Sequence, residues 1–193
     1  MEIIVTLFSY LLGSIPTGYI IGSLAGVDIR EVGSGNVGAT NVARVVGKKR
    51  GLLTLIADVT KGFLPVFVAA RLGLSHTAVA VIAIAAFLGH LYPVFLKFQG
   101  GKGVATALGV LLALAPMATV GLIAIFGIFA ITSRFVSLSS IAAALAAPIM
   151  LWSFAYPPTY IAMSAFLAVM IVVRHRGNIQ RLLAGTEPRF GSR

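Results

Sequence analysis

Gly33-Ser34-Gly35-Asn36-Val37-Gly38-Ala39-Thr40-Asn41 stands between two almost wholly apolar runs, residues 3–24 and 52–72. About 20 such residues cross the hydrocarbon core of a bilayer. The two runs therefore read as spanning helices and the loop as their connection at a membrane face. Nothing about building a core calls for a loop of this kind. Its glycines let the backbone take positive φ and approach a ligand closely. Successive N–H groups in such turns form concave nests for anions. Arg44 and then Lys48-Lys49-Arg50 follow, so the loop reads as an anion cradle with cations beside it. A second glycine-rich stretch with a cation, Gly100-Gly101-Lys102-Gly103, comes later.

Working outward, apolar blocks recur at residues 77–96, 104–115, 117–132, 136–154 and 160–173. The blocks at 104–115 and 117–132 fall below the usual spanning length and also read as short or re-entrant helices. The expectation is an all-α integral membrane protein with seven transmembrane helices, forming a single domain over residues 1–193. Composition agrees: the 193 residues are 59% hydrophobic and 10% charged, too little polar surface for a water-soluble domain. Long apolar blocks favour helices over the alternation of a barrel. Met1-Glu2 is an acidic start, unlike the basic opening of a cleavable signal peptide.

Orientation follows from charge. With the N-terminus outside, the inner connections collect all 15 Lys and Arg residues except Lys61 and Arg71, Arg193 among them. An excess of Lys and Arg marks the cytoplasmic side, and an odd number of spans satisfies it. The net charge of +10 is thus explained by the membrane and an anionic substrate, and no nucleic-acid partner is expected.

Within the spans, Gly13-Ser14-Ile15-Pro16-Thr17-Gly18 predicts a kink that lets helices approach. Asp58 and Lys61, three apart on one helix face, read either as a pair lining the bundle interior or as part of the site. His90, near a helix end, reads as a hydrogen-bonded structural residue or, beside the second glycine loop, a functional one.

All the polar clusters share the inner face, and glycine loops with fixed cations suit phosphate groups. The nucleotide-binding pattern Gly-x4-Gly-Lys-Ser/Thr is not met, because Leu96 and Gly103 occupy the positions of its first glycine and its hydroxyl. Only Asp28, Glu31, Asp58 and Glu187 could serve a metal near this face, too dispersed for phosphoryl transfer through a divalent ion. No metal and no cofactor are expected. Acyl transfer on a phosphorylated substrate needs neither, since N–H groups and cations stabilise a carbonyl oxyanion. The His-x4-Asp acyltransferase dyad is also missing: Val81, Phe95 and Gln180 stand where its aspartate would follow His76, His90 and His175. There are no cysteines.

Four motifs, in order along most of the chain, carry a resemblance. They are Gly13–Gly18; Gly33–Asn41 with Arg44; His90-Leu91-Tyr92-Pro93-Val94-Phe95 running on to Gln99-Gly100-Gly101-Lys102-Gly103-Val104-Ala105-Thr106; and His175-Arg176-Gly177-Asn178-Ile179-Gln180-Arg181-Leu182 with Gly185-Thr186-Glu187. The chain resembles the bacterial membrane acyl-phosphate:glycerol-3-phosphate acyltransferases of the PlsY type. It departs from them at Arg189, where that family usually has Lys; Arg forks where Lys is a point charge.

The resemblance implies transfer of a fatty acyl group from a long-chain acyl phosphate to the 1-hydroxyl of glycerol 3-phosphate at the cytoplasmic face of the bacterial inner membrane. The products would be lysophosphatidic acid, delivered to the lipid bilayer, and phosphate. It implies Ser34, Arg44, Lys102, His175 and Asn178 as candidate catalytic residues. It implies Gly33, Gly35, Asn36, Gly38, Thr40, Asn41, His90, Gly100, Gly101, Gly103, Thr106, Arg176, Arg181 and Glu187 as substrate-binding ones. Asn36, Thr40 and Asn41 would orient the glycerol hydroxyls or brace the loop. The base is either His175 or a phosphate oxygen of a substrate; Ser34 as a covalent nucleophile lacks a neighbouring base in sequence. Rival classes are an anion transporter, which should carry its charges near the membrane midplane, and a non-catalytic subunit binding anionic lipid, for which the basic tail alone would suffice.

Overall fold

The computed structural model describes residues 1–191; Arg193, counted among the inner cations, lies outside them. The described residues are helical, with no strand. In order they are α1 (Glu2–Ser14), α2 (Thr17–Ser23), α3 (Ala39–Val45), α4 (Lys48–Arg71), α5 (His76–Leu91), a 3-10 turn (Val94–Leu96), α6 (Val104–Leu114), α7 (Pro116–Ser133), α8 (Val136–Ser153), α9 (Pro158–Arg174) and α10 (Arg176–Leu183).

Five stretches are long and apolar enough to cross a bilayer: Glu2–Ser23, Lys48–Arg71, His76–Leu96, Pro116–Ser133 and Val136–Ser153. A sixth is the pair α9 and α10, bent by 58° at its break. At about 1.5 Å per residue, the 11-residue α6 reaches only about half of a hydrocarbon core. The seven blocks read from sequence thus become five full-length apolar stretches, the first of them broken between α1 and α2, one bent pair and one short helix.

The helices form two compact units, Met1–Leu114 and the part from Ala115 onward. In the first, α1 packs on α5 and α4 on α6, while α3 lies against α4. Glycines set both of the main contacts. A Cβ on Gly13 would strike the Ala86 carbonyl of α5, and one on Gly89 the Tyr10 carbonyl of α1. Gly62 and Gly109 meet the Thr106 and Val59 carbonyls across α4 and α6 in the same way. In a bilayer, burial of apolar surface does not drive helices together, so backbone approach through small residues does. In the second unit α7 packs on α8, α8 on α9, and α10 against both α8 and α9.

Polarity is arranged for lipid. Ile3, Ile4, Leu7 and Phe8 on α1 and Met117, Val120 and Ile131 on α7 are exposed, while Ser9, Ser14, Thr54, Thr119 and Ser139 are buried. These five hydroxyls each donate to the carbonyl four residues earlier, at 2.6–2.9 Å, so none of the five is stranded in hydrocarbon.

Candidate active site

The first glycine loop is held from beneath by Asn41. This side chain is 1% exposed. Its Oδ1 accepts the Ser34 N–H at 2.9 Å, and its Nδ2 donates to the Ile29 and Val32 carbonyls at 2.9 and 3.1 Å. Three bonds to one amide pin a loop that lacks secondary structure of its own. Gly33 takes φ +69°, and its missing Cβ is what admits the Asn41 amide. Of the two roles foreseen for Asn41, the structure gives it the brace. The Gly35 N–H donates to Val32 at 3.2 Å. The N–H groups of Ser34 and Gly35 are therefore engaged within the protein, and what the loop presents outward is the exposed Ser34 side chain, with Thr40 and Arg44 also exposed on α3. Asn36 and Gly38 are half-buried, the Asn36 amide lying 3.1 Å from where a Gly38 Cβ would stand. Among the described residues no carboxylate pairs with Arg44. Nearby, Arg30 is committed instead: it bonds Asp28 through Nε and Nη2 and lies 4.5 Å from the Tyr19 ring centroid. Those bonds hold the Asp28 carboxyl down at about 2.

The second glycine loop is folded onto the end of α5. The Gly100 and Gly101 N–H groups donate to Leu91 and His90 carbonyls, both at 3.1 Å. A Cβ on Gly101 would collide with the His90 imidazole, and one on Gly103, at φ +85°, with the Phe87 ring. The glycines thus serve close packing, and the loop's cation, Lys102, is half-buried just before α6. Thr106, in the first turn of α6, is fully buried, and among the described residues its hydroxyl has no hydrogen-bond partner.

Beneath these loops lies a recess of about 200 Å³, counting its open mouth, lined by residues 13–18, Val37, Asp58, Lys61, His90 and Pro93. Asp58 and Lys61 pair at 2.9 Å as their spacing predicts. The proline break does more than kink the chain. It frees the Ile15 carbonyl, which accepts from Lys61 Nζ at 3.0 Å, and it aims the Thr17 hydroxyl at Asp58 Oδ1, 2.5 Å away. Both residues belong to the motif read as a kink, but neither contact was foreseen: a carboxylate 41 residues from its hydroxyl leaves no local signal.

In the second unit, α9 does not continue past Arg174; the chain turns at His175. His175 is 3% exposed, and its Nδ1 lies 2.8 Å from the Ile171 carbonyl. A carbonyl only accepts, so Nδ1 carries the hydrogen and Nε2 is the basic nitrogen of the neutral ring. Asn178 Nδ2 and Ser137 Oγ both donate to Glu187 Oε1 at 2.6 Å, and Arg181 Nε donates to Oε2 at 2.8 Å. Burial works against the charge of Glu187, but these three bonds outweigh it and hold the carboxyl below the ordinary glutamate range. Both oxygens are thus occupied by protein donors, and Glu187 ties α8, α10 and the tail together. Ser137 was missed from sequence for the same reason as Thr17. Arg176 is exposed, and Arg189 lies 5.7 Å from the Phe135 ring centroid, a contact suited to a planar guanidinium.

Among the described residues no three His, Asp or Glu side chains are grouped as metal ligands. In the first unit, braced loops with an exposed serine and arginine and a half-buried lysine can hold anions; in the second, a buried histidine with an oriented basic nitrogen can take a proton.

Comparison with known proteins gives this set a context. Residues 3–185 match the family model described as glycerol-3-phosphate acyltransferase. A glycerol-3-phosphate acyltransferase of Geobacter sulfurreducens is 49% identical over 98% of this chain and 97% of its own. One from Syntrophotalea carbinolica is 51% identical over 97% and 96%. The crystal structure of PlsY, an integral membrane glycerol 3-phosphate acyltransferase, in its glycerol 3-phosphate form superposes with a TM-score of 0.95 at 46% identity, covering 98% of this chain and 96% of that one. Its lysophosphatidic acid form gives 0.92 at 44% identity, covering 98% and 95%. With its glycine loops, its apolar helices and nearly its whole length matched, the chain belongs to the glycerol-3-phosphate acyltransferase family of multi-pass membrane proteins.

Proposed function

We propose that this enzyme transfers a fatty acyl group from acyl phosphate to the 1-hydroxyl of glycerol 3-phosphate, at the cytoplasmic face of the inner membrane of a bacterium. The observation that carries this reading is the Gly33–Asn41 loop, braced by a buried amide so that Ser34 faces outward. Among the described residues Arg44, which follows, has no carboxylate partner. A cation left uncompensated in this way suits a substrate that brings the negative charge. Two phosphorylated substrates ask for a second cation, and Lys102 on the second loop is the one nearest in kind.

In the reaction, the glycerol oxygen bonds to the acyl carbonyl carbon and the bond from that carbon to the phosphate oxygen breaks. The hydroxyl proton and the departing phosphate together make hydrogen phosphate, so no further reactant is needed. The proton leaves through His175 Nε2 or passes directly to a phosphate oxygen, whose second pKa is about 6. Ser34, Arg44 and Lys102 hold the phosphates and offset charge that grows on the carbonyl oxygen. Asn178 contributes through its bond to Glu187, and Arg181 steadies the same carboxylate. Acyl phosphate is a mixed anhydride, and its phosphate departs without help from a metal.

The charge asymmetry supports an outside N-terminus, an inside C-terminus and an odd number of crossings, which is seven when α6 counts as one. In the test, purified protein receives glycerol 3-phosphate with either palmitoyl phosphate or palmitoyl-CoA, with EDTA present. Lysophosphatidic acid from the phosphate donor alone is the expected result. Equal use of the CoA ester, or loss of turnover in EDTA with recovery in Mg²⁺, would overturn the proposal.

A further inference from the structure

The buried charges beneath the glycine loops are not part of the chemistry just described, yet both loops hang from them. Asp58, Lys61 and His90 have side chains 2%, 5% and 6% exposed. A buried ion pair is weak evidence for stability, since well-packed apolar residues often serve a fold as well. Charges kept at such cost inside a membrane usually have a task.

The contacts suggest which task. Two groups bond a single oxygen, Asp58 Oδ1, the Thr17 hydroxyl at 2.5 Å and Lys61 Nζ at 2.9 Å, and His90 Nδ1 stands beside the same oxygen at 3.6 Å, an ionic contact when the ring is protonated. Thr17 opens α2, the helix that leads to the first loop. Its neighbour Gly18 lies so close to the Val37 carbonyl of that loop that a Cβ would collide with it. His90 closes α5 and carries the second loop: its carbonyl accepts the Gly101 N–H, and its ring fills the space where a Gly101 side chain would be. Lys102 is the next residue. One oxygen therefore sets the register of Ser34's loop on one side and of Lys102's on the other. Lys61 also ties the break itself, through the Ile15 carbonyl.

We propose that Asp58 is a positioning residue for the substrate site, fixing the two glycine-rich loops through Thr17 and His90 with Lys61 as its counter-charge. It touches no substrate and acts by alignment. The inference rests on the acyltransferase reading for its kinetics but not for its binding test.

Thr17→Val removes one hydroxyl and leaves the ion pair, and Thr17→Ser keeps the hydroxyl. Asp58→Asn/Lys61→Met removes both charges together, so neither is left alone in the interior. Equilibrium binding of glycerol 3-phosphate is measured well below each variant's melting temperature, followed by KM for each substrate. Misplacement by about 1 Å costs roughly a hundredfold in alignment-dependent steps. Thr17→Val and the double variant should therefore bind glycerol 3-phosphate about tenfold or more weakly than wild type, and Thr17→Ser should bind normally. KM for glycerol 3-phosphate should rise more than KM for acyl phosphate. Normal glycerol 3-phosphate binding by Thr17→Val, or by the double variant at any melting temperature, would show the cluster to be structural only and overturn the proposal. A wild-type protein that binds glycerol 3-phosphate but makes no lysophosphatidic acid would refute the acyl-transfer reading, and the binding series would still decide the role of Asp58.

Discussion

Replacing Asn41 by Asp changes two hydrogens and one charge in the brace under the first loop and almost nothing in shape. Oδ1 can still accept the Ser34 N–H. The other side reverses: where Nδ2 donated to the Ile29 and Val32 carbonyls at 2.9 and 3.1 Å, a carboxylate oxygen now faces two acceptors. A buried polar group left unsatisfied costs about 1–3 kcal/mol. Ile29 is fully buried, so its carbonyl bears that cost in full, whereas Val32 is exposed and can turn to water. Repulsion from the new charge adds to it, giving about 2–4 kcal/mol in all. For a chain of this size that is a fall in melting temperature of roughly 5–15 °C. The loop is the part that yields, because α3 and α4 keep their own packing. Activity should therefore drop by more than the loss of folded protein accounts for, about 30-fold or more in kcat/KM. Thermal unfolding in detergent and initial rates, measured in parallel, give both numbers. An Asn41→Asp enzyme that melts within about 2 °C of wild type and turns over within twofold of it would refute the brace.

Arg44→Ala and Lys102→Ala should each lower kcat/KM about 30-fold or more with melting temperature unchanged, the expectation for losing a charge-assisted phosphate contact; steady-state rates and unfolding check it. Glu187 has its folded pKa below the unfolded value, so its stabilisation is complete above about 4.5 and disappears as the pH falls through the lower folded value. Melting temperature followed from pH 6 downward should show this loss in wild type and not in Glu187→Gln, which should melt lower throughout. Gly62→Leu drives a side chain into the Thr106 carbonyl of α6 and should reduce melting temperature and folded yield, an overpacking cost of about 1–3 kcal/mol or more. Single cysteines at Ser75 and Thr186 should be labelled from opposite faces of the membrane; labelling of both from outside would refute the orientation.

The apolar helices and their polar connections were legible because hydrophobicity is a local property, readable one segment at a time. Asp58 and Lys61 were legible too, since a spacing of three on a helix puts two side chains on one face. What could not be read was who meets whom across the bundle. Thr17 finds its carboxylate 41 residues on, and Ser137 finds Glu187 50 residues on. The glycines have a packing role that their sequence does not announce. Gly33, Gly100 and Gly101 suggested N–H groups turned toward an anion. In the fold, Gly33 makes room for the Asn41 amide, and the N–H groups of Gly100 and Gly101 are used on α5 carbonyls. A missing side chain looks the same in sequence whether a ligand or another part of the chain occupies its place. The last apolar block, 160–173, matches α9, but nothing in the composition beyond it announces the 58° bend that leads into α10.

The most direct test of acyl transfer from acyl phosphate is stoichiometry. Palmitoyl phosphate is supplied with and without glycerol 3-phosphate, and inorganic phosphate and lysophosphatidic acid are measured from the same samples over time. One phosphate released for each lysophosphatidic acid formed, with release dependent on glycerol 3-phosphate, is the predicted result. Phosphate released at the same rate without glycerol 3-phosphate, or lysophosphatidic acid formed without phosphate, would contradict it.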